Sequence, residues 1–319
     1  MPSPALAYFG LSWLSAVGVV VGWTWRRLGH RRPEVLRSHR TESKDLFNGA
    51  GSTVEVSGDH VHHYLARLPC NEILKLDLTE RALDVPGLPA ALDGLSIIHL
   101  SDFHFTGRVG KAFFHEVARL VNAQSPDMIA ITGDLVDHDA YIDWIPGTLG
   151  RFKSAYGVYF VLGNHDLRVD TARLRRTLVD AGLIDLGGRW LEVRIDGHPV
   201  VLAGNELPWI PPAADMHGVP RESAEGHVPW ILLSHSPDQI GWAQAHRFDL
   251  MLAGHTHGGQ ICLPLIGPIV TPSRLGVKYA SGTFHNPPTI LHVTRGISGQ
   301  LPIRLNCPPE LAKLVLHSN

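Results

Sequence analysis

The run LSIIHLSDFHF, residues 95–105, decides the fold. Its first six residues are mostly Leu and Ile with no carboxylate, Lys or Arg, so they read as a strand covered on both faces. Ser101-Asp102-Phe103-His104 follows without a spacer. The same pattern repeats down the chain, with apolar runs at Met128–Thr132, Val158–Leu162, Val200–Ala203, Ile231–Ser234, Leu250–Ala253 and Ile290–Thr294 that stop at polar clusters. Between some of them lie segments of helical spacing, as at Phe113, Phe114, Val117, Leu120 and Val121, and again at Leu174 and Leu178. Strands alternating with helices predict an α/β domain whose ligands gather at the carboxyl ends of its strands.

Five of those strand ends deliver oxygen or imidazole donors: Asp102 and His104, Asp134, Asn164 with His165 and Asp166, His235, and His255 with His257. One histidine after one strand is more often a hydrogen-bonded structural residue than a ligand, and Gly-Asp is a frequent turn. Five such clusters on one rim would crowd polar groups without partners, a conflict that a shared metal site resolves. Carboxylate, amide and imidazole donors without thiolate suit Mn, Fe or Zn. Seven ligands exceed the needs of one ion and match two divalent ions that share a carboxylate. In that arrangement metals about 3.5–4 Å apart activate a water and clamp a transferring phosphoryl group. Two divalent cations, two ligand carboxylates and a bridging hydroxide leave a net charge of about +1, which attracts a phosphate anion.

Ser101-Asp102-Phe103-His104, Thr132-Gly133-Asp134, Gly163-Asn164-His165-Asp166, Ser234-His235-Ser236 and Gly254-His255-Thr256-His257 resemble the five motifs of calcineurin-like metallophosphoesterases, in order and complete. Gly258-Gly259-Gln260, Thr294-Arg295-Gly296 and Pro302-Ile303-Arg304 are similar to the bacterial membrane-associated subgroup of YkuE and YaeI type phosphodiesterases. The resemblance runs from Leu95 to Leu316. Phe103 and Phe105 stand where aliphatic residues are frequent and Thr294 where Ser is common, and neither departure removes a ligand. The resemblance implies a four-layer αββα sandwich of two mixed sheets flanked by helices. It also implies that Asp102, His104 and His257 hold one metal and Asn164, His235 and His255 the other, with Asp134 bridging. His165 is then left to contact the substrate phosphate and protonate the leaving oxygen, and Asp166 beside it would fix its tautomer and orientation. Arg295 is a candidate phosphate clamp, or else a structural Arg on a C-terminal carbonyl. The implied activity is metal-dependent hydrolysis of a phosphate ester, a phosphodiester first, with phosphomonoesterase or nuclease action on a soluble substrate as the alternative. A rival of another class, an inactive metal-binding scaffold, would be expected to lack a ligand or His165.

Upstream, residues 5–23 contain no Asp, Glu, Lys or Arg and as a helix would reach about 28 Å, enough to span a bilayer. The arginines follow the apolar run, at Arg26, Arg27, Arg31, Arg32, Arg37 and Arg40, the reverse of a signal peptide's order. The chain is therefore expected to carry one uncleaved transmembrane helix at 1–25, then a basic juxtamembrane segment and linker running into an edge strand over 26–92, then the phosphoesterase domain at 93–319. The positive-inside rule places that domain in the cytoplasm, and a tethered enzyme suits a membrane-borne lipid or lipid-linked phosphodiester. Glu206 to Trp230, rich in Pro and carrying Trp209, His217 and Arg221, reads as a surface loop or a substrate-contacting flap. A net charge of -2 indicates no specific nucleic-acid partner. Cys70, Cys262 and Cys307 suggest neither a disulfide framework nor a thiolate zinc site, and read as small buried residues.

Overall fold

The computed structural model describes residues 34–46, 64–65, 68 and 70–318. The membrane helix expected at 5–23 lies outside these residues, and among the described residues no helix is long and apolar enough to cross a membrane. In chain order come strands β1 (Leu36–Asp45), β2 (Lys75–Asp84) and β3 (Leu95–Leu100), helix α1 (Lys111–Ala123), β4 (Met128–Thr132) and β5 (Val158–Val161). Helix α2 (Thr171–Asp180) precedes β6 (Ile184–Asp185), β7 (Trp190–Ile195), β8 (His198–Asn205), β9 (Glu222–Ser223), β10 (Gly226–His227) and β11 (Trp230–Ser234). Helix α3 (Ile240–Ala245) leads to β12 (Leu250–Ala253), β13 (Cys262–Leu263), β14 (Gly267–Pro268), β15 (Gly282–Asn286), β16 (Thr289–Val293) and β17 (Glu310–His317).

The period of two along each strand sorts its side chains between two faces. In β3, β4 and β5, Ile98, Leu100, Ile129, Ile131, Val158 and Phe160 pack with Phe113, Phe114, Val117, Leu120 and Val121 of α1. The alternate residues Leu95, Ile97, Met128, Ala130, Tyr159 and Val161 pack against Val200, Leu202, Ile231, Leu233, Leu250 and Leu252 of a second sheet. That sheet's other face, with Val201, Leu232, Met251 and Leu291, is covered by Ile240 and Ala243 of α3 and by Phe248. Helix, sheet, sheet and helix thus follow in layers, and strands buried on both faces need the continuous apolar runs seen in the sequence. Each buried aliphatic or aromatic side chain contributes about 1.5–3 kcal/mol to holding the layers together.

The first sheet runs β1-β2-β17-β3-β4-β5-β6 and the second β15-β16-β12-β11-β8-β7. β3 to β6 are mutually parallel, as are β8, β11, β12 and β16. Their carboxyl ends therefore bring the polar clusters to common rims. The stretch read as a linker with an edge strand supplies two strands, with β2 one place in from the edge and β1 outside it. Both belong to the same compact unit as the rest, Val35–Asn319.

Several buried polar groups between the layers find partners, which offsets the cost of desolvation. His99 of β3 meets His292 of β16 across the sheets, Nδ1 to Nδ1 at 2.8 Å. Arg81 of β2 pairs with the fully buried Glu310 of β17 at 2.8 Å. Cys262 and Cys307 are at least partly buried, but Cys70 is exposed, contrary to the sequence reading, and all three are free thiols.

Candidate metal centre

Five residues on the rim adopt positive φ without being glycine: Asp102 (53°), His104 (45°), Asp134 (55°), His255 (70°) and His257 (52°). This conformation costs about 1–3 kcal/mol per non-glycine residue and persists where the surroundings enforce it. Asp and His tolerate it better than branched residues. The turns also need glycine where backbones crowd the donors. A Cβ on Gly254 would lie 2.5 Å from Asp102 Oδ2, and one on Gly163 would lie 2.7 Å from the Asp134 nitrogen.

Three overlapping groups of donor atoms result: Asp102, His104 and His257; His104, Asp134 and His165; and Asp134, His235 and His255. His104 Nε2 and His257 Nε2 are 3.2 Å apart, and His257 Nε2 is 3.4 Å from Asp102 Oδ1. On the other side of Asp134, His235 Nε2 is 3.2 Å from Asp134 Oδ2 and 3.2 Å from His255 Nδ1. Asp102 Oδ1 and Asn164 Oδ1 are buried acceptors with no hydrogen-bond partner among the described residues. Converging imidazole nitrogens beside orphaned oxygens fit cations, which would satisfy all of them at once.

The far side of each ring sets its tautomer. His235 Nδ1–H donates to the Thr132 carbonyl at 2.7 Å and His104 Nδ1–H to Asp137 Oδ2 at 2.8 Å, so in its neutral form each ring leaves an Nε2 lone pair facing inward. Burial opposes ionisation of Asp134, but His235 and then His104 and His165 hold its carboxyl well below the usual range. Burial also pushes His235 down, and Asp134 beside it more than reverses this, to about 9. His255 is pushed down to about 4 by burial and by His235. His257 is pushed down to about 3 by burial, with His104 and the fully buried Arg304 adding to the shift. Arg304 Nη2 lies 3.4 Å from His257 Nδ1 and Nη1 donates to the His257 carbonyl at 3.3 Å.

His165 belongs to the second of these groups, with its side chain 13% exposed and Nε2 3.9 Å from Asp134 Oδ2. Asp166 does not orient it. The Asp166 carboxylate instead accepts N–H bonds from Gly163, Asp134, Leu135 and Val136, and so ties the β4 and β5 loops together. His165 Nδ1–H donates to Asp137 Oδ1 at 2.7 Å. Asp137, which sequence reasoning missed, thus serves His104 with one oxygen and His165 with the other, and Gln300 Nε2 donates to it at 3.0 Å. The available signal was a second carboxylate three residues after Asp134 on the same strand-end loop.

Arg295 is not aimed at a substrate phosphate. Its guanidinium lies on Asp77 at 2.9 Å and Glu310 at 3.5 Å, both buried. Arg168, more than half exposed and 3.6 Å from Asp137 Oδ1, is the guanidinium presented near His165. From the irregular segment after β8, Trp209 reaches the site, with ring centroids 5.0 Å from His255 and 5.5 Å from His235. Arg221 lies over Trp230 and His217 is exposed, so only the start of that segment borders the site.

Comparison with known proteins agrees with this geometry. Residues 95–259, just over half of the chain, match the calcineurin-like phosphoesterase family. The chain is 30% identical over 251 residues to the uncharacterized metallophosphoesterase YkuE of Bacillus subtilis, covering 76% of this chain and 86% of that protein. It is 28% identical to the phosphodiesterase YaeI of Escherichia coli, over 69% of this chain and 81% of the other. It is 26% identical to the UDP-2,3-diacylglucosamine pyrophosphatase LpxG of Chlamydia muridarum, over 83% of this chain and 97% of that protein.

Proposed function

The chain belongs to the calcineurin-like phosphoesterases and is a metal-dependent phosphoric ester hydrolase, and on that premise we propose that it is a phosphodiesterase acting at a membrane surface on a lipid or lipid-linked diester. The observation that carries the reading is the three overlapping donor groups, two of which share Asp134 and one of which contains His165. Asp102, His104 and His257 would hold one ion, Asn164, His235 and His255 the other, and Asp134 both. Two divalent ions, Mn, Fe or Zn, would supply a water of lowered pKa and electrostatic stabilisation of the phosphoryl group.

The chain's own residues do the rest. Asp137 holds the His165 ring by Nδ1, which leaves Nε2, 3.9 Å from Asp134 Oδ2, to give a proton to the leaving oxygen. Asp137 also stabilises the imidazolium from which that proton comes. Arg168, half exposed and 3.6 Å from the Asp137 oxygen that holds His165, suits a phosphate oxygen. Trp209 offers an apolar wall against His235 and His255 to whatever flanks the phosphate. A second reading of His165 rests on its Nε2 lying 3.9 Å from Asp134 Oδ2, within a donor group that also contains His104. In that reading it is a ligand.

Support for a diester comes from the relative named a phosphodiesterase, and for a lipid-linked one from the relative named for a diacylated sugar nucleotide. Attachment through a helix at 5–23, with the domain on the cytoplasmic side, belongs to the same proposal. None of the ligand positions is replaced, which disfavours an inactive scaffold. The test is a substrate panel on the metal-loaded protein that sets diesters against monoesters and lipid headgroups against nucleotides. Preferred turnover of lipid diesters supports the reading, and preferred turnover of monoesters or polynucleotides overturns it.

A further inference from the structure

Thirteen large apolar side chains are exposed among the described residues, and seven of them lie between Ile261 and Leu275. They concentrate on the β13–β14 hairpin and the loop after it, where Ile266 is 55%, Ile269 60% and Val270 73% exposed, with Leu263 and Leu265 also in the open. Aliphatic surface gathered in this way marks an interaction site, because it does nothing for the fold. The hairpin is fastened at its base. Cys262 N–H donates to the Leu305 carbonyl at 2.9 Å, Asn306 Nδ2 donates to the Cys262 carbonyl at 2.9 Å, and Pro268 packs so closely on Gly259 that a Cβ there would clash. Gly259 is two residues beyond His257, so the base rests on a loop of the metal centre.

Charge identifies the partner. From Leu250 to Pro309 there is no Asp or Glu, and Arg274 and Lys278 are exposed beside the apolar residues. The nearby Asp238 carboxylate accepts from Ser273 Oγ at 2.5 Å and from the Arg274 N–H at 3.0 Å. Aliphatic side chains flanked by cations, with the Asp238 carboxylate engaged by Ser273 and the Arg274 N–H, suit the interface of a bilayer with anionic headgroups. We propose that residues 261–275 dock the catalytic domain on an anionic lipid surface, the hairpin entering the headgroup region and Arg274 and Lys278 meeting lipid phosphates. This deepens the membrane-surface reading above and rests on it for the substrate.

The test is amide hydrogen exchange on the full chain, alone and with vesicles of phosphatidylcholine with or without phosphatidylglycerol. Turnover of a lipid diester in those vesicles and of a soluble aryl diester is measured alongside. Docking predicts protection of residues 263–270 that appears with vesicles and is greater on the anionic ones. Ile269→Asp with Val270→Asp should abolish that protection. It should also lower vesicle turnover about 10-fold or more while the soluble reaction is unchanged, since one aliphatic side chain moved out of water is worth about that factor. Arg274→Gln with Lys278→Gln should remove the preference for anionic vesicles, about fivefold per cation. Three results overturn the proposal: no vesicle-dependent protection, protection already present without vesicles because residues 1–33 cover the hairpin, or protection that follows protein concentration because a second copy does. Vesicle-dependent protection without lipid turnover upholds the docking and removes the lipid-substrate reading instead.

Discussion

Asp137 serves two imidazoles with one carboxylate, His104 through Oδ2 and His165 through Oδ1. Burial opposes its ionisation, but the hydrogen bonds from His104 and His165 keep it charged well below the ordinary carboxylate range. An amide cannot serve both rings, because its NH2 side meets an imidazole N–H. Asp137→Asn is therefore predicted to weaken metal binding about 10–100-fold, read as a rightward shift of activity in a metal titration. An unshifted titration would mean that His104 is not a ligand oriented by Asp137. His165→Ala separates proton donor from ligand. Donation predicts a loss of about 10²–10⁴-fold on alkyl diesters and a far smaller one on activated aryl diesters, with metal content intact. Equal losses on both would speak against donation, and loss of bound metal would make His165 a ligand.

Among the elements, β17 closes the first sheet between β2 and β3, and its Glu310 joins Arg81, Thr79 and Arg295 in one buried network. Burial pushes Glu310 up, but Arg81 and then Arg295 outweigh it and hold the carboxyl well below 4.5. A depressed folded-state pKa gives stability that is complete above the unfolded value and lost as pH falls toward the folded one. Glu310→Gln should cost about 3–5 kcal/mol at neutral pH, the usual result of breaking a buried ion pair from one side. In denaturant titrations the gap between the two proteins should narrow as pH drops below about 4.5. A gap independent of pH would remove the charge from the account. The buried parallel strands were legible because two covered faces demand unbroken Val, Ile and Leu. β1 was not, since LRSHRTESKD is almost wholly exposed and is held by its ladder to β2 rather than by side-chain burial.

For the whole molecule, the convergence of the candidate donors was readable because each follows a recognisable apolar strand and the sheets bring those ends together. The partners of those candidate donors were not. Asp166 adjoins His165 in sequence, yet the turn aims its carboxylate at four backbone N–H groups, while Asp137 and Arg304 reach the site from positions that only packing reveals. The proposed membrane orientation belongs to this scale too. Arginines that follow the apolar segment predict that a reporter fused after Asn319 is active on the cytoplasmic side, and activity only on the outer side would reverse the assignment. The central claim is a centre of two metals joined by one carboxylate, and metal content per chain measured with diester turnover tests it most directly. Wild-type protein should hold two ions, and Asp134→Asn should lose metal from both positions and nearly all turnover. An Asp134→Asn protein with undiminished metal content and near wild-type turnover would contradict the account.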